Sequence, residues 1–119
     1  MRETEASVAA AIAGGGGACA DAGGSLVGVV LWAEQEFSLY IGRLSVRPDW
    51  RGRGIARALV AAAEAEARRR QLPRMHLSTR LLLLDNRRLF ASCGFREGER
   101  HAHPGYAAPT FVDMEKALA

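Results

Sequence analysis

The sequence predicts a mixed α/β fold in which helices pack on a sheet of both parallel and antiparallel strands. Short apolar and β-branched runs separated by turn residues fill positions 18–46. One strongly periodic helix follows at Ile55–Gln71, and a strand–helix–strand succession then leads to the end of the chain. The expected order is α-β-β-β-α-β-α-β-β.

Glu3 to Ala13 is alanine-rich and reads as a short helix stopped by Gly14–Gly17. Ala18–Ala22 reads as a short strand, joined by a Gly23-Gly24 hairpin turn to a strand at Leu26–Trp32. Glu34-Gln35-Glu36 is polar and turn-like. Phe37–Val46 is a longer strand with Leu39, Ile41, Leu44 and Val46 on the faces of a bulged or twisted segment. Arg47–Gly54 is rich in turn formers. The helix over Ile55–Gln71 carries Ile55, Ala58, Leu59, Ala62 and Ala65 on one face and is stopped by Leu72-Pro73. Met75–Thr79 reads as a strand. Asp85 then caps a helix over Asn86–Ser92, with Gly94 as its stop. Phe95–Ala102 and Thr110–Met114 are the last strands, separated by a His-Pro-Gly-Tyr loop. Neither a repeat nor a long linker divides the chain, so residues 1–119 are expected to form one domain.

Composition narrows the classes of function. A chain 49% hydrophobic and 24% charged is neither disordered nor fibrous. No apolar run reaches the roughly 18 residues of a membrane span, and two cysteines do not make a disulfide scaffold. Glu3 and Glu5 spoil a positively charged leader ahead of Ala6–Ala13, so a cytoplasmic location is expected. Lys116 is the single lysine among sixteen basic residues, which makes the chain rich in arginine. That richness fits GC-rich coding, and it also fits contacts to phosphate. A pI near 9.4 raises nucleic-acid binding. Acids nearly as numerous as bases and the lack of an aromatic-studded basic strand argue against it.

The most informative stretch is Val46–Leu59, where a strand end, the loop Arg51-Gly52-Arg53-Gly54 and a helix start coincide. Free N–H groups at a helix start, reinforced by its dipole, attract anions, and glycines let backbone approach a phosphate. Neither GxGxxG nor a P-loop is present, and a tight strand-to-helix turn with surface arginines explains the same residues.

RGRGIA (Arg51–Ala56) resembles the Arg/Gln-x-x-Gly-x-Gly/Ala signature of the GNAT acetyltransferases. LDNRRLFASCGF (Leu84–Phe95) is similar to the family's second motif. HPGYAAPTFVDMEKAL resembles the closing strands of one bacterial subgroup. The resemblance implies a GNAT-like acyl-CoA N-acyltransferase fold and acetyl-CoA as the acetyl donor. It places Arg51, Gly52, Arg53, Gly54, Ile55 and Ala56 around the diphosphate and the Leu44–Val46 strand beside the pantetheine arm. Asn86 falls near that arm, with Arg87 and Arg88 towards the nucleotide end. It further implies direct acetyl transfer to the primary amine of a small molecule or peptide.

Such a transfer needs a neutral amine, a donor to the developing oxyanion (a backbone N–H near Leu44–Val46 is suited) and a proton for the leaving thiolate. The family's tyrosine four residues before Gly-Phe is here Phe90, which donates no proton, leaving water, Ser92, Cys93 or Tyr106. Glu36 and His76 are candidate bases, each equally readable as an ordinary polar residue. His101 and His103 lack partners at metal spacing, so no metal site is expected. Phe90 also leaves open a non-catalytic acyl-CoA-binding or interaction module. Relative to the family, a first strand and helix are missing ahead of Glu3. The expectation is either that part of the N-terminus is absent or that a homodimer covers the exposed sheet edge.

Overall fold

A computed structural model describes residues 7–10 and 16–118. Seven strands form one sheet: β1 (Ser7–Ala10), β2 (Gly17–Ala22), β3 (Ser25–Gln35), β4 (Ser38–Val46), β5 (Arg74–Arg80), β6 (Arg96–His101) and β7 (Phe111–Ala117). Helix α1 (Ile55–Arg69) connects β4 to β5, and α2 (Leu84–Ser92) connects β5 to β6. The strand order is β1-β2-β3-β4-β5-β7-β6, antiparallel except for the β4–β5 pair. The mixed α/β architecture thus matches the expectation from sequence.

The first element does not. Ser7–Ala10 is a strand paired antiparallel with β2, Ser7 opposite Asp21, where the sequence predicts helix; the rest of Glu3–Ala13 lies outside the described residues. An isolated helix of some ten residues is marginal, whereas the open edge of β2 offers a row of hydrogen-bonding groups. Tertiary pairing therefore overrides alanine's helical preference.

Strand β3 runs on through the predicted turn to Gln35, and the chain reverses at Glu36 and Phe37, whose φ angles are 51° and 61°. Two positive φ values define the tight turn that suits a twisted hairpin, but Asn-Gly, not Glu-Phe, is its natural occupant. Replacing Glu36 by Asn and Phe37 by Gly together should stabilise the fold by about 1–2 kcal/mol, read as a rise of several degrees in Tm.

Helix α1 stops at Arg69, two residues short of the expected end. Gln71 turns left-handed at φ 60°, and the Leu72 N–H bonds back to the Ala67 carbonyl at 3.0 Å. Its buried residues are Ile55, Leu59, Val60, Ala63 and Ala67; Ala58 and Ala65 of the predicted stripe are exposed. The four-residue row 55–59–63–67 sits on Val30, Leu39 and Met75, all fully buried. Helix α2 begins at Leu84 with Leu83 at its N-cap, so Asp85 lies inside the first turn and makes no cap.

Both helices lie on one face. Lys116 of β7 ties them to the sheet: its ammonium donates to Glu64 of α1 at 2.6 Å and to the Cys93 carbonyl beyond α2 at 2.8 Å. On the opposite face Tyr40, His76, Ser78 and Asp113 are partly or largely exposed. No helix among the described residues is long and apolar enough to cross a membrane.

Candidate active site

Two irregularities of β4 create the site. Its register with β3 sets Arg43 opposite Leu31 but Ile41 opposite Trp32, leaving Gly42 as an extra, bulged residue. Its parallel pairing with β5 extends only over Leu39–Met75 and Tyr40–His76. Past that point the two strands part, and the β4 edge facing β5 is left without a strand partner among the described residues. That fork opens towards the loop that begins α1.

After Val46 the chain makes a single 3-10 turn at Pro48–Trp50 and passes through Gly52 and Gly54, with φ of 77° and 80°. A side-chain β-carbon at either glycine would meet no atom within 4 Å, so the backbone there faces open space. Gly54 is the N-cap of α1, and the helical ladder starts with the Ala58 N–H on the Gly54 carbonyl at 3.0 Å. The N–H groups of Ile55, Ala56 and Arg57 precede that bond, at the positive end of a fifteen-residue helix with no acid in its first turn.

These groups floor a cleft of about 960 Å³. Leu44, Ser45 and Val46 form one wall, the glycine loop and first turn of α1 the base, and Leu82 to Asn86 with Arg88 and Leu89 the far wall. Arg51, Arg57 and Arg88 line it against one carboxylate, Asp85. Arg57 is held by Ser92, donating to its hydroxyl at 2.8 Å. An anion with an extended, partly apolar tail suits such a cleft.

The structure therefore brings Leu44, Val46, Arg51, Gly52, Gly54, Ile55, Ala56, Asn86 and Arg88 together around one cavity. Arg53 is placed differently: its guanidinium lies 4.4 Å over the Trp50 ring and donates to the Asp49 carbonyl, outside the lining. Arg87 also points away, paired with Glu97 at 2.7 Å and donating to the Leu81 carbonyl. Asn86 sits in the first turn of α2. Arg57 and the exposed leucines 82–84 were missed by sequence reasoning; a leucine run just before a helix start was the available signal.

Among the residues considered for proton transfer, Phe90 is buried and packs edge-on against Phe95 at 5.6 Å, a core role. Tyr106 is exposed, 6.3 Å from the His103 ring. Glu36 stands exposed at the β3–β4 turn. His76 is at the closed end of the fork, bonded through Nδ1 to Ser38 Oγ at 2.5 Å. Burial, and after it the Arg74 charge, hold its pKa below the ordinary value against the opposing pull of Glu115, Glu36 and Asp113. No group of three or more metal-ligating side chains occurs among the described residues.

The Acetyltransferase (GNAT) family model matches residues 3–95. Solved structures with the same fold include a Bacillus subtilis acetyltransferase in complex with CoA (TM-score 0.72, 21% identity, covering 87% of this chain and 78% of that one). The ribosomal-protein-S18-alanine N-acetyltransferase of Escherichia coli has a TM-score of 0.75 at 19% identity, covering 87% and 68%. An IAA acetyltransferase from Bacillus cereus has a TM-score of 0.74 at 21% identity, covering 86% and 77%. No curated protein matches significantly.

Proposed function

The chain belongs to the GNAT acetyltransferase family, and on that premise we propose that residues 1–119 act as one domain transferring the acetyl group of acetyl-CoA to a primary amine. The observation that carries this reading is the coincidence of two open, left-handed glycines, three N–H groups ahead of the α1 hydrogen-bond ladder and an arginine-lined cleft walled on one side by the β4 edge that has no β5 partner.

The residues fit the donor. A diphosphate needs donors and room. Gly52 and Gly54 leave the room, the first turn of α1 supplies the donors, and Arg51, Arg57 and Arg88 supply charge. The unpaired edge of β4 at Leu44–Val46 offers peptide groups to the amide-bearing arm, as a sheet edge does to an added strand. Bound acetyl-CoA supplies the activated acyl thioester. The backbone of β4 beyond its bulge is the nearest source of an N–H for the developing oxyanion. Phe90, buried against Phe95, contributes no proton. A thiol of pKa about 8.5 leaves acceptably without one.

The acceptor is the amine of a small molecule or of a peptide. A second reading, a non-catalytic acyl-CoA-binding module, is favoured by Phe90 standing where a tyrosine hydroxyl is usual. Calorimetric titration with acetyl-CoA, followed by thiol release in the presence of an amine panel, separates the readings. Transfer predicts both binding and amine-dependent thiol; binding without thiol supports the module; no binding at high micromolar acetyl-CoA overturns both.

A further inference from the structure

The geometry points to His76 as the base that takes the acceptor's proton and to Ser38 as the residue that positions it, an assignment that rests on the acetyl-transfer reading. Ser38 opens β4 and is completely buried. Its hydroxyl carries one hydrogen, and both of its contacts are hydrogen bonds only when that hydrogen is donated to the Arg74 carbonyl, 3.2 Å away. Towards His76 Nδ1, 2.5 Å away, the same oxygen is then an acceptor, so Nδ1 carries the imidazole proton and Nε2 keeps its lone pair. A buried serine thereby fixes the tautomer of a partly exposed histidine.

The fold also places this imidazole at the end of the short parallel pairing, outside the lining of the arginine cleft. Tyr40–His76 is the last pair before the fork opens, with the Tyr40 ring 5.1 Å from the imidazole. A pantetheine arm of thirteen bonds extends about 15 Å, taking three bonds as about 3.4 Å. Strand β4 advances about 3.3 Å per residue, so an arm entering at Val46 reaches the neighbourhood of Ile41 and Gly42, beside that pair. The charged groups facing His76 are Arg74 on its own strand, Glu115 and Asp113 on β7 and Glu36 at the β3–β4 turn. Burial first and Arg74 second outweigh the three carboxylates and hold the pKa below the ordinary histidine value, which favours the neutral ring a base requires near pH 7. Of the other histidines, His101 bonds to Asp113 at 2.7 Å and His103 is bonded by Thr110, both at the β6–β7 end of the sheet.

In the step this assigns, Nε2 takes a proton from the acceptor ammonium. The freed amine attacks the thioester carbonyl, the C–N bond forms and the C–S bond breaks. The second proton lost by nitrogen goes to the departing thiolate, and His76 returns its own to solvent.

The test has two arms on the full chain. In ¹⁵N-labelled protein, two-bond ¹H–¹⁵N spectra at pH 7.5 should show His76 protonated at Nδ1 and bare at Nε2, a signature that Ser38→Ala abolishes. A wild-type ring protonated at Nε2 would overturn the positioning role. In the second arm, thiol release is followed from acetyl-CoA with 2-phenylethylamine, spermidine and an alanine-terminated hexapeptide. His76→Gln should lower kcat/KM at pH 7 by about 10²–10⁴-fold. It should also move the acid limb of the pH profile from below the ordinary histidine value of about 6.5 up towards the amine's own pKa, near 10 for the alkylamines and about 8 for the peptide N-terminus. Ser38→Ala should cost about ten-fold in kcat with the limb less displaced, the scale of one lost hydrogen bond. A His76→Gln profile superimposable on the wild type overturns the base assignment while leaving acetyl transfer standing. Wild-type protein that releases no thiol with any of the amines overturns the transfer reading, and the assignment with it. Thermal melts of both variants separate these results from misfolding.

Discussion

Replacing Gly54 with valine should weaken acetyl-CoA binding at least 100-fold while leaving a folded protein. Gly54 holds φ at 80°, a conformation in which a β-branched residue is strained by about 1–2 kcal/mol. That is a tolerable fraction of a stability of about 5–15 kcal/mol. The binding loss has a separate cause. No protein atom lies within 4 Å of the added β-carbon, so the valine enters the open space in front of the α1 N-terminus rather than the core. A diphosphate held by those N–H groups would collide with it. Calorimetric titration of the variant checks this, with a melt run in parallel. Gly54→Ala should show an intermediate loss. Wild-type affinity in Gly54→Val would remove the glycine loop from the binding site.

A second large effect is expected at Gly28, far from the loop in sequence. A β-carbon there would lie 3.1 Å from Ile55 Cγ2 and 3.1 Å from Leu59 Cδ1, and 3.3 Å from the Ser45 carbonyl oxygen. The first turn of α1 is thus seated directly on β3, and the missing side chain allows it. Gly28→Val should lift that turn, costing about 1–3 kcal/mol from overpacking and lowering Tm by several degrees. It should also weaken acetyl-CoA binding, because the moved turn carries the N–H groups of Ile55 and Ala56. A variant that loses stability but keeps full affinity would show that the anion site does not depend on how α1 is docked.

The two glycines also show which parts of the site were legible in the sequence. Gly54 was readable because its reasons are local: a strand end, a turn and a helix start within ten residues. Gly28 was not, because its crowding comes from Ile55 and Leu59, nearly thirty residues away. The same division runs through the fold. The α1 pattern is legible because apolar spacing sustained over a fifteen-residue helix is a strong signal; its buried row follows 55–59–63–67, with Ala62 packed beside it and Ala58 and Ala65 exposed. Ser7–Ala10 was misread because alanine-rich sequence carries little information once a sheet edge is at hand. Asp85 is a good cap by residue type, yet the helix starts one residue before it. Arg53 and Arg87 carry the right charge for phosphate, but Trp50 in one case and Glu97 in the other engage them elsewhere. Ser38 gave no signal, because only the short parallel pairing of β4 with β5 brings it to His76.

The most direct test of acetyl-CoA use is a crystal structure of the protein with acetyl-CoA bound. The expected result has the diphosphate on the N–H groups of residues 52–57, the arm along Leu44–Val46 and the thioester in the β4–β5 fork within reach of His76. A diphosphate bound away from the start of α1, or an arm that leaves the fork empty, would contradict the proposed site and the function built on it.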